Sequence, residues 1–126
     1  MHVGVGDFDT AAAIPNLDIF GCDPYWYLFG TDAEAFMRTY GTAANEAARR
    51  HGRGVQLWLQ GFSVPEGREE ELRTGLRVAA DLGATHIAAW SFEATASMSK
   101  IRCARPDVVW SIIGEEFRRL HDANPR

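Results

Sequence analysis

Three stretches of the chain carry apolar residues at helical spacing, and a short run of nearly continuous apolar residues precedes each. In the first stretch Phe36, Tyr40, Ala43, Ala44 and Ala47 share one face. In the second the stripe is Leu72, Leu76, Ala79 and Leu82, and in the third Val109, Ile112, Ile113, Phe117 and Leu120. Local signals punctuate these helices. Thr31-Asp32-Ala33-Glu34 reads as a capping box with Thr31 as the cap, because its hydroxyl can accept from the third helical N–H while Glu34 reaches back. Arg49, Arg50 and His51 suit the negative end of that helix, and Gly52 can supply a left-handed stop. The second helix is expected to begin near Pro65, with Glu66, Glu69, Glu70 and Glu71 crowding its positive end, and to stop at Gly83. Pro106 suits the first position of the third helix, where a missing N–H costs nothing. Residues 121–126 are expected to fray.

The intervening runs, Leu17 to Gly21, Val55 to Gln60 and His86 to Phe92, are of strand length. Apolar residues at consecutive positions fit strands covered on both faces, as in parallel sheets. The predicted order over residues 17–120 is therefore β-α-β-α-β-α. Residues 1–16 are read either as the end of a preceding βα unit or N-terminal loop, or as a weak strand over Met1 to Phe8, where Val3 and Val5 alternate with glycines. The fold class is α/β, with three parallel βα units, or four if that strand forms. Two architectures accommodate them: a small open doubly wound sheet, or a partial (β/α)8 (TIM) barrel rather than a closed domain. A barrel needs about eight strands and roughly 250 residues, so the 126 residues are a single domain or a fragment.

Composition narrows the function. A formal net charge of -4 argues against a general nucleic-acid or anionic-membrane binder. No apolar run approaches the roughly 20 residues that span a bilayer. Cys22 and Cys103 are too few for a disulfide framework, and two reduced thiols are the expectation. With no signal-like N-terminus on this chain, the default expectation is cytoplasmic. The four histidines are scattered, Gly4-Val5-Gly6 lacks the rest of a dinucleotide fingerprint, and Ser63 and Ser91 have no nucleophile-elbow context. No cofactor and no metal are expected.

In parallel βα folds the ligand site lies beyond the carboxyl ends of the strands. Gly21-Cys22-Asp23-Pro24-Tyr25-Trp26-Tyr27 follows the first run. Trp58-Leu59-Gln60-Gly61-Phe62 ends the second, and Trp90-Ser91-Phe92-Glu93-Ala94 the third. Each end joins aromatic rings to a polar side chain. That mixture suits sugars, whose apolar C–H faces lie on rings while their hydroxyls need carboxylate or amide partners. The candidates are Asp23 and Glu93 as catalytic carboxylates, and Tyr25, Trp26, Gln60 and Trp90 as substrate-binding groups. Each has a plainer reading. Asp23-Pro24 also starts turns; Glu93 also suits a solvated loop; Gln60 can bond a neighbouring loop; the rings, Trp58 among them, can pack as core. Lys100, Arg102 and Arg105 form a small basic group in the last βα loop, which suits an acidic sugar or, more plainly, solvent.

The segments LDIFGCDPYW, WLQGF and AAWSFEA, in that order over residues 17–120, resemble the last three βα units of a glycoside-hydrolase-type (β/α)8 barrel. The resemblance implies that Asp23, Gln60 and Glu93 lie at the barrel mouth. Many retaining members of such barrels place a glutamate at the seventh strand end. Here that position is Gln60, an amide that cannot act as nucleophile or general base, while other barrel hydrolases use an aspartate at the sixth strand, the place of Asp23. The implied partners are a carbohydrate substrate or ligand, and either the missing N-terminal part of a barrel or a second copy meeting it through sheet edges. Two rivals stand beside this: a self-contained small α/β binding or interaction module without catalysis, and a barrel isomerase or aldolase. The latter would need a metal set or a Schiff-base lysine, and Lys100, the single lysine, sits in a loop.

Overall fold

The computed structural model describes residues 6–91 and 102–124. Its elements run α1 (Asp7–Ala12), β1 (Ile19–Cys22), a 3-10 turn (Trp26–Phe29), α2 (Ala33–Arg50), β2 (Gly54–Gln60), α3 (Glu71–Asp81), β3 (His86–Trp90) and α4 (Pro106–Ala123). The fold is α/β. The strands form one parallel sheet in the order β1-β2-β3, with Ile19 opposite Gly54 and Gln56 opposite His86.

The sequential strand order decides where the helices go. A βα unit that returns to the neighbouring parallel strand does so with a right-handed crossover. When each new strand is added on the same side of the last, successive crossovers lie over the same face. Accordingly α2 packs on α3, α3 packs on α4, and α2 and α3 both cover β2. Phe20, Val55, Leu57 and Leu59 point into this layer and are buried. Fully burying one such side chain stabilises the fold by about 1.5–3 kcal/mol. Met37, Ala44 and Ala47 of α2, Leu72, Leu76 and Ala79 of α3, and Val109, Ile112 and Ile113 of α4 meet them. These are the predicted helical stripes.

Among the described residues no helix covers the other face of the sheet. Ile19, His86 and Trp90 are exposed there, and Gln56, Trp58 and Ala88 are half-buried. The expectation of strands covered on both faces is therefore corrected: β2 alternates, with Val55, Leu57 and Leu59 toward the helices and Gln56, Trp58 and Gln60 away from them.

Three further expectations shift. The cap of α2 is Asp32 rather than Thr31, its Oδ2 accepting from Ala35 N–H at 2.8 Å. α3 starts at Glu71, not near Pro65. Gly67 in between takes φ 85°, a left-handed conformation that no helix can pass through. Residues 1–5, which hold most of the strand considered over Met1 to Phe8, lie outside the described residues, and Asp7–Ala12 form a helix: Phe8 and Ala12 are buried, and Phe8 meets the Phe20 ring edge-on at 5.5 Å. Asp9 ties this helix to the end of α2 through Arg50 and His51.

Charge joins the helices at their partly exposed flanks. Glu116 of α4 is buried and accepts from Arg73 and Arg77 of α3 and from Arg119. Burial alone would raise its pKa, but the three guanidinium groups outweigh this and hold it at about 2. Glu69, also buried, receives two hydrogen bonds from Arg105 at 2.7 and 2.8 Å. Arg105 is thus committed to this ion pair, a role that neither the solvated loop nor the acidic-sugar contact considered for it had included. The Arg105 hydrogen bonds hold Glu69 at about 2 against the effect of burial.

Candidate functional site

The carboxyl ends of β1, β2 and β3 open onto one cleft of about 540 Å³, lined by Gly21, Cys22, Asp23, Tyr25, Trp58, Phe62 and Trp90. Three of the foreseen site residues meet here: Asp23, Tyr25 and Trp90. Register explains the convergence. Gly21 is opposite Gln56, Trp58 opposite Ala88 and Gln60 opposite Trp90, and all belong to the face turned away from the helices. Gly21 has no side chain to fill the space above it. A Cβ there would touch Gln56.

Each wall is held by identifiable contacts. Tyr25 stands edge-on to Phe62, 5.1 Å between centroids at 88°. Its backbone N–H donates to the Asp23 carbonyl at 2.8 Å, closing the turn that Asp23-Pro24 begins. The Trp58 indole N–H donates to Gln56 Oε1 at 3.0 Å, which fixes the ring along the strand. Trp90 ends the edge strand with 46% of its surface exposed. Its carbonyl accepts from Gly61 N–H at 2.5 Å. A Cβ on Gly61 would come within 3.1 Å of that carbonyl oxygen, so the close approach of the two strand ends favours glycine.

Burial, reinforced by the Asp23 charge, pushes the Cys22 thiol up to about 12 and the Tyr25 phenol up to about 12. Both stay protonated near neutral pH. Cys22 is therefore a poor nucleophile, because the thiolate is the reactive form, while Tyr25 remains a neutral hydrogen-bonding group. Asp23 is exposed. Among the described residues no side chain pairs with its carboxylate, and no group of three or more His, Cys, Asp or Glu is arranged to hold a metal ion.

Two foreseen ligand contacts are corrected. Trp26 has no exposed surface; the chain turns inward at the 3-10 turn and seats the indole against Gly75 of α3 and beside Tyr27. A ring without a free face cannot stack on a sugar. Gln60 is also fully buried, its Nε2 donating to the Phe62 carbonyl at 2.9 Å. It shapes the loop that carries Phe62 instead of meeting a sugar hydroxyl. Its Oε1 is buried without a hydrogen-bond partner among the described residues. Glu93 and Lys100 lie outside the described residues. Cys22 and Cys103 are free thiols, and Cys103 Sγ donates to the Gly61 carbonyl.

Trp58 and Phe62 are lining residues that the sequence did not single out as ligand contacts. The signal for Trp58 was its parity with Gln56 and Gln60, which marks the less apolar side of β2. No described helix is long and apolar enough to cross a membrane. Comparison with family models, with curated proteins and with solved structures finds no match to the chain.

Proposed function

We propose that this chain is the C-terminal portion of a (β/α)8-barrel protein of glycoside-hydrolase type, and that its cleft grips a carbohydrate. The observation that carries the reading is the meeting of a free carboxylate, Asp23, with the rings of Tyr25, Trp58 and Trp90 in one cleft at the strand ends. A pyranose has the matching surface: apolar C–H faces for the rings and hydroxyls for the carboxylate. The cleft volume lies within the range of small-molecule sites.

The barrel part of the reading is supported by the strand order and the open face. A parallel sheet is ordinarily covered on both sides, and further βα units added in the same sense would curl this sheet until its open face became an interior. Catalysis would fall to Asp23 and Glu93 as a carboxylate pair, one donating a proton to the leaving oxygen and the other stabilising the oxocarbenium-like transition state or activating water.

The test is titration of the purified chain with a panel of β-linked oligosaccharides, followed by tryptophan emission. Trp90→Ala should weaken binding at least about tenfold while leaving the thermal midpoint unchanged, because the ring is half exposed. Equal affinity in the variant, or no binder in the panel, overturns the reading. Turnover of aryl glycosides by the chain, abolished in Asp23→Asn, would assign catalysis to the described half of the site alone.

A small α/β binding module without catalysis is the second reading. It is favoured by the core already closed between helices and sheet, where Trp26, Met37, Leu57 and Leu76 are fully buried. Binding with no turnover when Glu93 and Asp23 are both intact in a longer chain would favour it.

A further inference from the structure

We infer that the cleft selects a sugar bearing a protonated amine, with the ammonium group held between the Asp23 carboxylate and the aromatic walls. The inference rests on the carbohydrate reading of this cleft and names its substrate class. Four rings line the site: Tyr25, Trp58, Phe62 and Trp90. Aromatic faces are electron-rich and attract a cation within about 6 Å of the ring centre. Asp23 adds a full negative charge, and no Lys, Arg or His lines the cleft among the described residues. Among the described residues the lining therefore carries a carboxylate and no basic side chain.

The hydrogen-bonding inventory points the same way. A neutral sugar presents hydroxyls that both donate and accept, and sites for it usually offer donors as well as acceptors. Here the Trp58 indole N–H is already engaged with Gln56, and the neutral side-chain donors that remain in the lining are the Trp90 indole and the Tyr25 hydroxyl. The Cys22 thiol stays protonated and is a weak donor. Asp23 is acceptor-only and free. At the Asp23 carboxylate, a group that supplies donors and positive charge, and asks for no acceptance in return, fits better than a hydroxyl does. A primary ammonium is such a group.

Three oligosaccharides with the same β-1,4 pyranose backbone separate the possibilities, because they differ only at the second carbon: glucosamine, N-acetylglucosamine and glucose pentamers. Binding is measured by tryptophan emission and calorimetry at about pH 6, where a primary amine is charged. The glucosamine pentamer is expected to bind at least about tenfold tighter than the other two. That preference should fall with added salt, disappear at about pH 9 and be lost in Asp23→Asn, with Asp23→Glu retaining most of it. Equal binding of the three overturns the inference and leaves the carbohydrate reading intact. A preference that survives in Asp23→Asn also overturns it, since the attraction would then come from the general acidity of the chain. Failure of all three to bind overturns the inference together with the reading beneath it.

Discussion

Trp26 and Trp90 have similar sequence surroundings, each just past or at the end of an apolar run beside a polar group, and they have opposite fates. Trp90 stays on the open face because β3 continues straight to its end. Trp26 enters a 3-10 turn that folds the chain back under α3, where Gly75 makes room for the indole. Nothing within the local sequence separates the two; the distinguishing partner is a glycine far along the chain. A Cβ at Gly75 would stand 2.5 Å from Trp26 Cη2. Gly75→Ala should therefore destabilise the fold by about 1–3 kcal/mol, although alanine is ordinarily the better helix residue. Urea unfolding followed by far-ultraviolet circular dichroism measures it, and a neutral or stabilising result would mean that the ring has room to move. Asp23 and Tyr25 were legible as residues of the strand-end cleft because a turn at a strand end exposes what it carries. Gln60 was not, because its amide is consumed by the carbonyl of Phe62 two residues on.

Among the elements, the start of α4 was legible to the residue, since Pro106 suits a first helical position, while its end was not: the helix runs through Ala123, past His121 where fraying was expected. α3 was misread at its start. The acidic run after Pro65 imitates a helix N-terminus, yet Glu69 is taken by Arg105 across the fold and Gly67 adopts a left-handed turn. α1 was missed because six residues give too short a period to read, although Phe8 and Ala12 stand one helical turn apart. The helix layer also carries a pH dependence. Glu69 and Glu116 are held at about 2 in the fold, against an ordinary value of 4.5. Their contribution is fully present above about pH 4.5 and is lost as pH falls through about 2, because the unfolded chain binds the protons first. Thermal midpoints should fall steadily across that window. Glu116→Gln should cost about 1–3 kcal/mol at neutral pH, and the difference from the parent should vanish near pH 2. A variant equally deficient at both pH values would show that the loss is one of packing.

For the whole molecule, the sheet is graded from centre to edge. β2 bonds to a neighbour on each side, and its helix-facing residues are buried. Among the described strands β3 bonds to β2 alone, and it is at most half-buried throughout. Amide exchange should be slowest in β2, with the Leu57 and Leu59 amides protected at least about tenfold more than those of Ala88 and Ala89. Comparable protection of both strands would mean that the outer edge of β3 is covered in solution. The sequential order that leaves one face open also sets how the chain assembles. Ile19 must wait for Gly54, and Gln56 for His86, before either ladder can close. Each strand thus finds its partner one helix later in the chain. During synthesis the sheet would therefore grow in one direction, every strand leaving the ribosome to meet a template already in place.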